Sequence, residues 1–262
     1  MSGLRRPRAA SPRPGDPEPA GYLYQPGHPP VMERYETTER LYENPLTDES
    51  DVEDWVMEGD ASLSFPKGRL RMDARYNPGE VDVAHFVHWC PEEFPDDVAI
   101  SWDFYPIAEP GLCMLFFGAR GRDGESVLDD SLDDRHGDYP EYHSGDIDAY
   151  HVSYYRRNEH GDPWNENEFQ TVNLRKSHGF HLAARGGDPI PNARDADGPY
   201  PITVVKSGRE VAFYVDDLEV FRWEDEGLGG PPLGGGHIGF RQMTPLVAEY
   251  ENLTVDRVER VQ

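Results

Sequence analysis

Residues 139–157 read Tyr139-Pro-Glu-Tyr-His-Ser-Gly-Asp-Ile-Asp-Ala-Tyr-His-Val-Ser-Tyr-Tyr-Arg-Arg157, and no other stretch holds so many Tyr, His, Asp and Arg residues. Its second half, from Ile147 to Arg157, lacks Gly and Pro and has the composition of a strand. Because strand side chains alternate between two faces, we expect one face with Tyr150, Val152, Tyr154 and Arg156, and another with His151, Ser153, Tyr155 and Arg157. Neither face is purely apolar, so the strand is interpreted as the floor of a binding cleft.

Outward from this strand, short alternating runs are split by Gly, Pro and Asp at spacings of about 8–15 residues. They predict strands at 54–58, 61–65, 69–73, 83–90, 97–105, 112–118, 147–157, 170–176, 179–184, 200–206, 210–215, 218–223, 236–243 and 246–257. Residues 211–223 predict a tight hairpin around Asp216-Asp217, and residues 127–134 predict one helical turn. The pattern indicates an all-β jelly-roll sandwich of two antiparallel sheets.

The chain has 262 residues and a net charge of -25, and its few lysines are Lys67, Lys176 and Lys206. Residues 1–34, rich in Pro and Arg, predict a disordered tail before one domain over 35–262. An acidic shell with little Lys indicates a halophilic source, because screening in molar salt shortens the Debye length to roughly 3 Å. The charge argues against nucleic acid and anionic membranes as partners.

Cys90 and Cys113 lie in apolar strand-like runs and are predicted to be buried free thiols. No run approaches the roughly 20 apolar residues of a membrane span, and no apolar segment follows the N-terminal arginines as in a signal peptide. We therefore expect a cytoplasmic protein. The sequence says nothing about the oligomeric state.

Four blocks in order resemble a known family: Gly111–Phe117, Tyr142–Arg156, Asn173–Phe180 and Ile238–Met243. They look like the family of unknown function numbered 1961, and the resemblance spans roughly residues 38–257. Members of that family have a concanavalin A-like lectin/glucanase jelly roll, so the resemblance implies this fold. Some members occur among genes for pectic polysaccharide use, which makes an oligosaccharide the implied ligand.

The polar residues of these blocks fit β-elimination on a uronate-containing oligosaccharide. That reaction needs a cation beside the substrate carboxylate, a base for the neighbouring C–H proton, and an acid for the leaving oxygen. The predicted catalytic residues are His143, His151, Tyr155 and Arg156. The predicted substrate-binding residues are Asp146, Tyr154, Asn173, Arg175, Lys176, Arg241 and Gln242. Structural alternatives stay open for each: a core position for the tyrosines, a satisfied strand histidine, or arginines paired with acids.

Two other readings of the chemistry remain. A glycoside hydrolase of the same fold would need carboxylates at alternate positions of one strand, and Glu49-Ser50-Asp51-Val52-Glu53 has this spacing but lies in a turn-like acidic stretch. A non-catalytic, lectin-like carbohydrate-binding protein needs no such groups.

No cofactor or metal is predicted, because His136, Asp138, His143 and Asp146 match no recognised ligand spacing. A structural Ca²⁺ stays possible, because acidic residues are abundant.

Overall fold

Strands make up most of the regular structure in the computed structural model, which describes residues 34–74, 85–157 and 170–261. The predicted tail lies outside these ranges except for Arg34, and so do the first two residues of the strand predicted at 83–90. The strands are β1 (Tyr35–Asn44), β2 (Val56–Gly59), β3 (Ala61–Ser64), β4 (Leu70–Ala74), β5 (Phe86–Phe94), β6 (Val98–Ala108), β7 (Gly111–Gly121), β8 (Ile147–Arg157), β9 (Thr171–Ser177), β10 (His181–Gly187), β11 (Tyr200–Ser207), β12 (Glu210–Val215), β13 (Leu218–Glu224), β14 (Gly236–Met243) and β15 (Val247–Arg260). Helix α1 spans Tyr139–His143, and a 3-10 turn spans Glu49–Asp51.

The strands form two antiparallel sheets. Sheet A has eight strands in the order β13-β12-β11-β6-β15-β4-β3, with β1 also paired to β15. Sheet B has seven strands in the order β10-β9-β8-β7-β14-β5-β2. The predicted all-β jelly-roll sandwich is therefore confirmed, and the predicted hairpin corresponds to β12 and β13.

The main core fills the space between the sheets. Trp102 and Phe104 of sheet A contact Tyr154 of sheet B, at ring-centroid distances of 5.7 and 5.3 Å. Cys90 and Cys113 are buried free thiols, as predicted. A second apolar cluster lies on the opposite face of sheet B, where Trp89 and Phe116 pack against Tyr142 of α1. We call this opposite face the outer face of sheet B.

Two local predictions differ from the structure. The sequence did not predict β1, because Tyr-Glu-Thr-Thr-Glu-Arg-Leu-Tyr-Glu-Asn is mostly polar; six of its ten residues are exposed beside β15. Residues 127–134 form turns rather than the expected helical turn. The helical turn comes later, where Asp138 is the N-cap of α1 and Pro140 lies in the first turn, a position that tolerates proline.

A β-bulge near the end of β8 breaks the predicted alternation of faces. Gly111 pairs with Arg157 and Cys113 pairs with Tyr154, so β8 has one residue more than β7 in this interval. Tyr155 occupies it with φ of +47°, and both Tyr154 and Tyr155 point into the main core. The prediction that Arg156 shares a face with Tyr154 is therefore wrong, because the extra residue moves Arg156 to the face of His151.

The only helix in the described part of the chain, α1, has five residues. No described helix is long and apolar enough to cross a membrane.

Candidate functional site

Polar side chains cross the outer face of sheet B in two rows, because residues paired across antiparallel strands share a face. The first row runs from β14 to β10 through Gly239, Phe116, His151, Arg175 and Leu182. The second row runs in the same direction through Arg241, Met114, Ser153, Asn173 and Arg185. Five strands thus contribute to one continuous surface.

The bulge at Tyr155 adds Arg156 to the end of this surface. Arg156 Nη1 donates to Thr171 Oγ1 at 2.9 Å. Thr171 Oγ1 donates to Asn173 Oδ1 at 3.3 Å, and Arg185 Nε donates to the same oxygen at 3.2 Å. We call Arg156, Arg175, Arg185 and Arg241 the arginine face.

Arg175, Arg185 and Arg241 differ from most other described arginines in their pairing with carboxylates. Most other described arginines pair with a carboxylate, as Arg135 does with Glu58 at 2.8 Å. Within the described ranges, Arg175, Arg185 and Arg241 have no carboxylate oxygen within 4.0 Å. Burial, and more weakly the like charge of Arg185, lower the pKa of Arg175. The positive charge of Arg175, Arg185 and Arg241 therefore lies here without compensating acids from the described residues.

Arg241 is fully buried beneath α1. Its Nη1 donates to Gly137 O at 2.7 Å, and its guanidinium lies 5.1 Å from the Tyr139 ring centroid. Its Nε and Nη2 atoms have no hydrogen-bond partner among the described residues. A buried charge with unpaired donors costs stability, so the fold keeps Arg241 in this position at a cost in folding free energy.

Helix α1 places Tyr139 above β8. The Glu141 carboxylate accepts from the backbone N–H groups of His136 and Asp138 at 2.7 and 3.1 Å, which holds the start of α1 in place. The Tyr139 hydroxyl then lies 2.8 Å from His151 Nε2. Tyr139 is part of the stretch 139–157 but was not among the predicted site residues, because it precedes a proline and lies outside the strand pattern.

Burial sets the protonation states of this pair. His151 is fully buried against Phe116, with ring centroids 5.0 Å apart. Burial, together with Arg175, His143 and Arg241, lowers the pKa of His151 to about 3. Burial raises the pKa of Tyr139 to about 12, although Arg175, Arg241 and Arg156 oppose this shift. Both groups are neutral at physiological pH.

An aromatic rim borders the arginine face. His143 lies 4.9 Å from the ring of Tyr139 and 4.9 Å from the ring of Phe180. Phe180 is 50% exposed, and the Arg175 guanidinium stacks 3.6 Å from its centroid. Partial burial, then Arg175 and Arg241, lower the pKa of His143, which favours a neutral imidazole. An exposed ring beside hydrogen-bonding groups suits the apolar face of a sugar.

Six of the eleven predicted site residues are brought together on the outer face of sheet B: His143, His151, Arg156, Asn173, Arg175 and Arg241. Besides Tyr139, sequence reasoning missed Arg185 and Phe180. Arg185 could have been found from the alternation of side chains along residues 181–187, a segment that follows the predicted strand 170–176.

Lys176 and Gln242 point to the other face of sheet B, since each follows an outward arginine by one residue. Lys176 Nζ donates to Asp225 Oδ2 at 2.7 Å and to Pro231 O at 2.7 Å. Gln242 Nε2 donates to the Tyr250 hydroxyl at 2.8 Å inside the core. Neither residue meets the predicted substrate-binding role in this arrangement.

Tyr154, Tyr155 and Asp146 also lie away from the arginine face. Tyr154 is fully buried in the main core, and the bulge turns Tyr155 inward so that its hydroxyl donates to Glu109. Asp146 accepts from the backbone N–H of Asp133 at 2.6 Å and so braces the connection before β8. The expected grouping of all eleven residues is therefore not observed.

The alternating acidic motif does not form a strand. Glu49–Asp51 is a 3-10 turn, and the Asp51 carboxylate accepts from Thr47 N at 2.6 Å and Asp48 N at 3.2 Å. Glu49 and Glu53 line a pocket of about 430 Å³ with Trp55 and His88 at the edge of the sandwich. Across residues 34–74, 85–157 and 170–261, no group of three or more His, Cys, Asp or Glu side chains is placed to hold a metal ion.

Comparisons with known proteins agree with this architecture. The family model described as "Domain of unknown function (DUF1961)" matches residues 39–255. The uncharacterized protein YesU of Bacillus subtilis is 50% identical over 221 residues, which cover 84% of this chain and 96% of YesU.

Two solved structures share the fold. A protein of unknown function with a galectin-like fold from Bacillus subtilis superposes with a TM-score of 0.81 and 48% identity, covering 87% of this chain and 100% of its own. A Bacillus licheniformis β-glucanase superposes with a TM-score of 0.53 and 12% identity, covering 84% of this chain and 99% of its own. At that identity the β-glucanase is a likeness of fold alone.

Proposed function

The chain belongs to the family described as domain of unknown function DUF1961, and we propose that it acts on an oligosaccharide lying across the outer face of sheet B. The galectin-like fold and the likeness to a β-glucanase support a carbohydrate ligand. The half-exposed Phe180 ring and the polar row from Ser153 to Arg185 supply the stacking surface and the hydrogen-bonding groups that such a ligand needs.

The observation that carries the proposal is the arginine face. In a chain of net charge -25, the guanidinium groups of Arg175, Arg185 and Arg241, which have no nearby carboxylate among the described residues, are suited to an anion from outside. Arginine binds carboxylates through two parallel N–H donors. We therefore propose a uronate-containing oligosaccharide, with its carboxylate placed near Arg175.

The reaction that these groups favour is β-elimination. The uronate C5–H bond breaks, the electron pair forms the C4=C5 double bond, and the C4–O bond breaks as the leaving oxygen takes a proton. Arg175 and Arg241 lower the cost of proton removal next to the carboxylate. His143, neutral and partly exposed at the rim, is placed to take the C5 proton.

Hydrolysis is a weaker candidate. It needs two carboxyl groups roughly 5–10 Å apart across the scissile bond, and the described part of the arginine face presents none. A binding role without chemistry is the second candidate, favoured by one observation: Arg175 stacked on the exposed Phe180 ring forms a recognition surface that requires no proton transfer.

The decisive experiment incubates the protein in molar salt with pectic, alginate-like and ulvan-like oligosaccharides. Ultraviolet absorbance and reducing ends are followed together. A parallel rise of both, from an unsaturated uronate product, is the expected result. Reducing ends alone would indicate a hydrolase, and a raised melting temperature without any product would indicate a binder.

A matched pair of variants tests the anionic ligand separately. Arg175→Gln should weaken binding of the free-acid oligosaccharide about tenfold or more, since a lost charge-assisted pair costs about 1.5–3 kcal/mol, and should change binding of its methyl ester little. Arg194→Gln is the control, because Arg194 is exposed and its ion-pair partner among the described residues is its neighbour Asp195. Equal effects on acid and ester would contradict a carboxylate at Arg175.

The salt concentration and the cellular compartment in which the protein acts are also proposals. The acidic, Lys-poor composition supports work at high salt, and the cytoplasm remains the expected compartment.

A further inference from the structure

His151 has two ring nitrogens in different surroundings. Nε2 lies 2.8 Å from the Tyr139 hydroxyl. Nδ1 has no hydrogen-bond partner among the described residues, and the side chain is fully buried. A neutral imidazole carries one N–H and one lone pair, so the proton must be assigned to one of these two positions.

The surroundings favour the proton on Nε2. Placed on Nδ1, it would be a buried donor without an acceptor, and such orphaned donors are rare and costly. Placed on Nε2, it donates to the Tyr139 oxygen and leaves only a lone pair unpaired on Nδ1. The hydrogen bond made by one nitrogen thus sets the tautomer of the ring.

This tautomer makes His151 unsuited to the role of base that its sequence position predicted. Its free lone pair on Nδ1 is buried, out of contact with solvent. In contrast, the Tyr139 oxygen receives the Nε2–H, and its own O–H hydrogen is left without an assigned acceptor.

We infer that Tyr139 is the catalytic proton donor of this site and that His151 is a positioning residue that donates from Nε2 to the Tyr139 oxygen. The inference rests on the proposed β-elimination. As the C4–O bond breaks, the leaving oxygen takes the Tyr139 proton, while His143 takes the C5 proton. The resulting phenolate and imidazolium exchange the surplus proton through solvent, so the enzyme returns to its starting state.

The charges around the hydroxyl suit this step. Arg156 of β8, Arg175 of β9 and Arg241 of β14 all act on Tyr139 electrostatically. Besides His151, the other titratable group in contact is His143, which shares α1 with Tyr139. Three positive charges and one N–H donor therefore stabilise the phenolate as it forms.

Tyr139→Phe tests the catalytic part. Turnover of the uronate oligosaccharide should fall by about 10²–10⁴-fold, as for loss of a general acid, while KM and the ligand-induced rise in melting temperature change less than about twofold. Tyr200→Phe is the matched control, since Tyr200 lies on β11 of sheet A, where its hydroxyl donates to Asp197 Oδ1 at 3.3 Å, and should keep turnover. Full turnover by Tyr139→Phe would overturn the inference.

Two variants test the positioning part. His151→Gln keeps an amide N–H that can reach Tyr139 and should retain at least a tenth of wild-type turnover, whereas His151→Leu should lose as much as Tyr139→Phe. Equal losses in both His151 variants would contradict a donor role.

A spectroscopic measurement gives an outcome that does not depend on turnover. Nitrogen-15 NMR of the full chain should show His151 neutral with its proton on Nε2 from pH 5 to 8, the resonance being assigned by its loss in His151→Gln. A proton on Nδ1 or an imidazolium would overturn the inference. If no oligosaccharide is cleaved, the proposed function fails, yet this experiment still decides the His151–Tyr139 arrangement.

Discussion

At the scale of one residue, Arg241 has a cost in stability that the proposed function would explain. Its guanidinium is fully buried, with one hydrogen bond to Gly137 O and two unpaired donors among the described residues. Burial lowers its pKa, which reflects the cost of keeping charge in this position. A neutral side chain of similar size would avoid that cost.

We predict that Arg241→Met leaves the free energy of unfolding unchanged or raises it by about 1–4 kcal/mol, while turnover is lost. Urea unfolding measures the first effect and the oligosaccharide assay the second. Arg135→Met is the control: Arg135 is buried but donates to both carboxylate oxygens of Glu58, so its loss should destabilise by about 3–5 kcal/mol. Equal destabilisation by both variants would contradict the functional reading of Arg241.

A second prediction at this scale concerns acid. Burial lowers the pKa of His88 to about 4 and that of His151 to about 3. Both values lie below the ordinary histidine pKa of about 6.5. The stability of the fold with both imidazoles buried and neutral is therefore fully present above pH 6.5 and is lost as the pH falls toward 3–4. Unfolding in that window takes up protons, and each histidine contributes a slope of about 1.4 kcal/mol per pH unit.

His151→Gln should therefore reduce the slope of unfolding free energy against pH by about 1.4 kcal/mol per unit between roughly pH 4 and 6. The many carboxylates contribute equally to both proteins and cancel in the comparison. Urea titrations at half-unit steps measure the slopes. Parallel curves for the two proteins would show that His151 is not buried neutral.

Helix α1 shows how one short element assembles the site. It has only five residues, too few to be stable alone. The Glu141 carboxylate holds it by accepting from two backbone N–H groups, and packing of Tyr142 against Trp89 and Phe116 fixes its distance from sheet B. These contacts help to position Tyr139 and His143 above sheet B.

We predict that Glu141→Ala lowers the unfolding free energy by about 1 kcal/mol, as for loss of a helix cap, and lowers turnover through the displaced Tyr139. Glu141→Gln should preserve both properties, because its amide oxygen still accepts. Thermal unfolding and the oligosaccharide assay provide the measurements. A wild-type rate in Glu141→Ala would mean that α1 does not need this cap.

At the scale of elements, composition and alternation predicted β8 and β12 to the residue, because each is rich in β-branched or aromatic residues between clear turn signals. The bounds of β14, which has two glycines among its eight residues, were also predicted to the residue. β1 could not be found this way, since its exposed polar side chains show no alternation. Because strand side chains alternate, Arg175 and Lys176 point to opposite faces of sheet B, and so do Arg241 and Gln242. One residue of each pair could therefore have been excluded from the predicted site.

The rest of the site was hidden from the sequence for physical reasons. A bulge at Tyr155 depends on backbone geometry, with φ of +47°, which the alternating pattern does not encode. Tyr139 joins the site through a loop and a helix whose position depends on tertiary packing. The unpaired donors of Arg241 follow from burial, which a sequence of many acids cannot reveal.

The whole molecule carries a net charge of -25, and this sets its response to salt. Repulsion between like charges opposes the compact state, and ions screen it. The halophilic source expected from the composition therefore predicts that salt stabilises the folded protein.

We predict that the melting temperature rises by ten degrees or so between 0.1 and 2 M KCl; at about 2–4 °C per kcal/mol, this corresponds to several kcal/mol. A triple variant, Asp123→Asn, Asp130→Asn and Asp134→Asn, neutralises exposed acids and should need less salt for the same stability. Calorimetry at several KCl concentrations is the measurement. A salt-independent melting temperature would argue against adaptation to high salt.

Strand β15 has a consequence for the order in which this sandwich is completed during protein synthesis. It pairs with β6 along one edge and with β4 and β1 along the other, yet it leaves the ribosome after every other strand described. Until then β6 and β4 have edges open to pairing with other chains. Closure of sheet A is therefore a late, non-local step that requires residues 247–260.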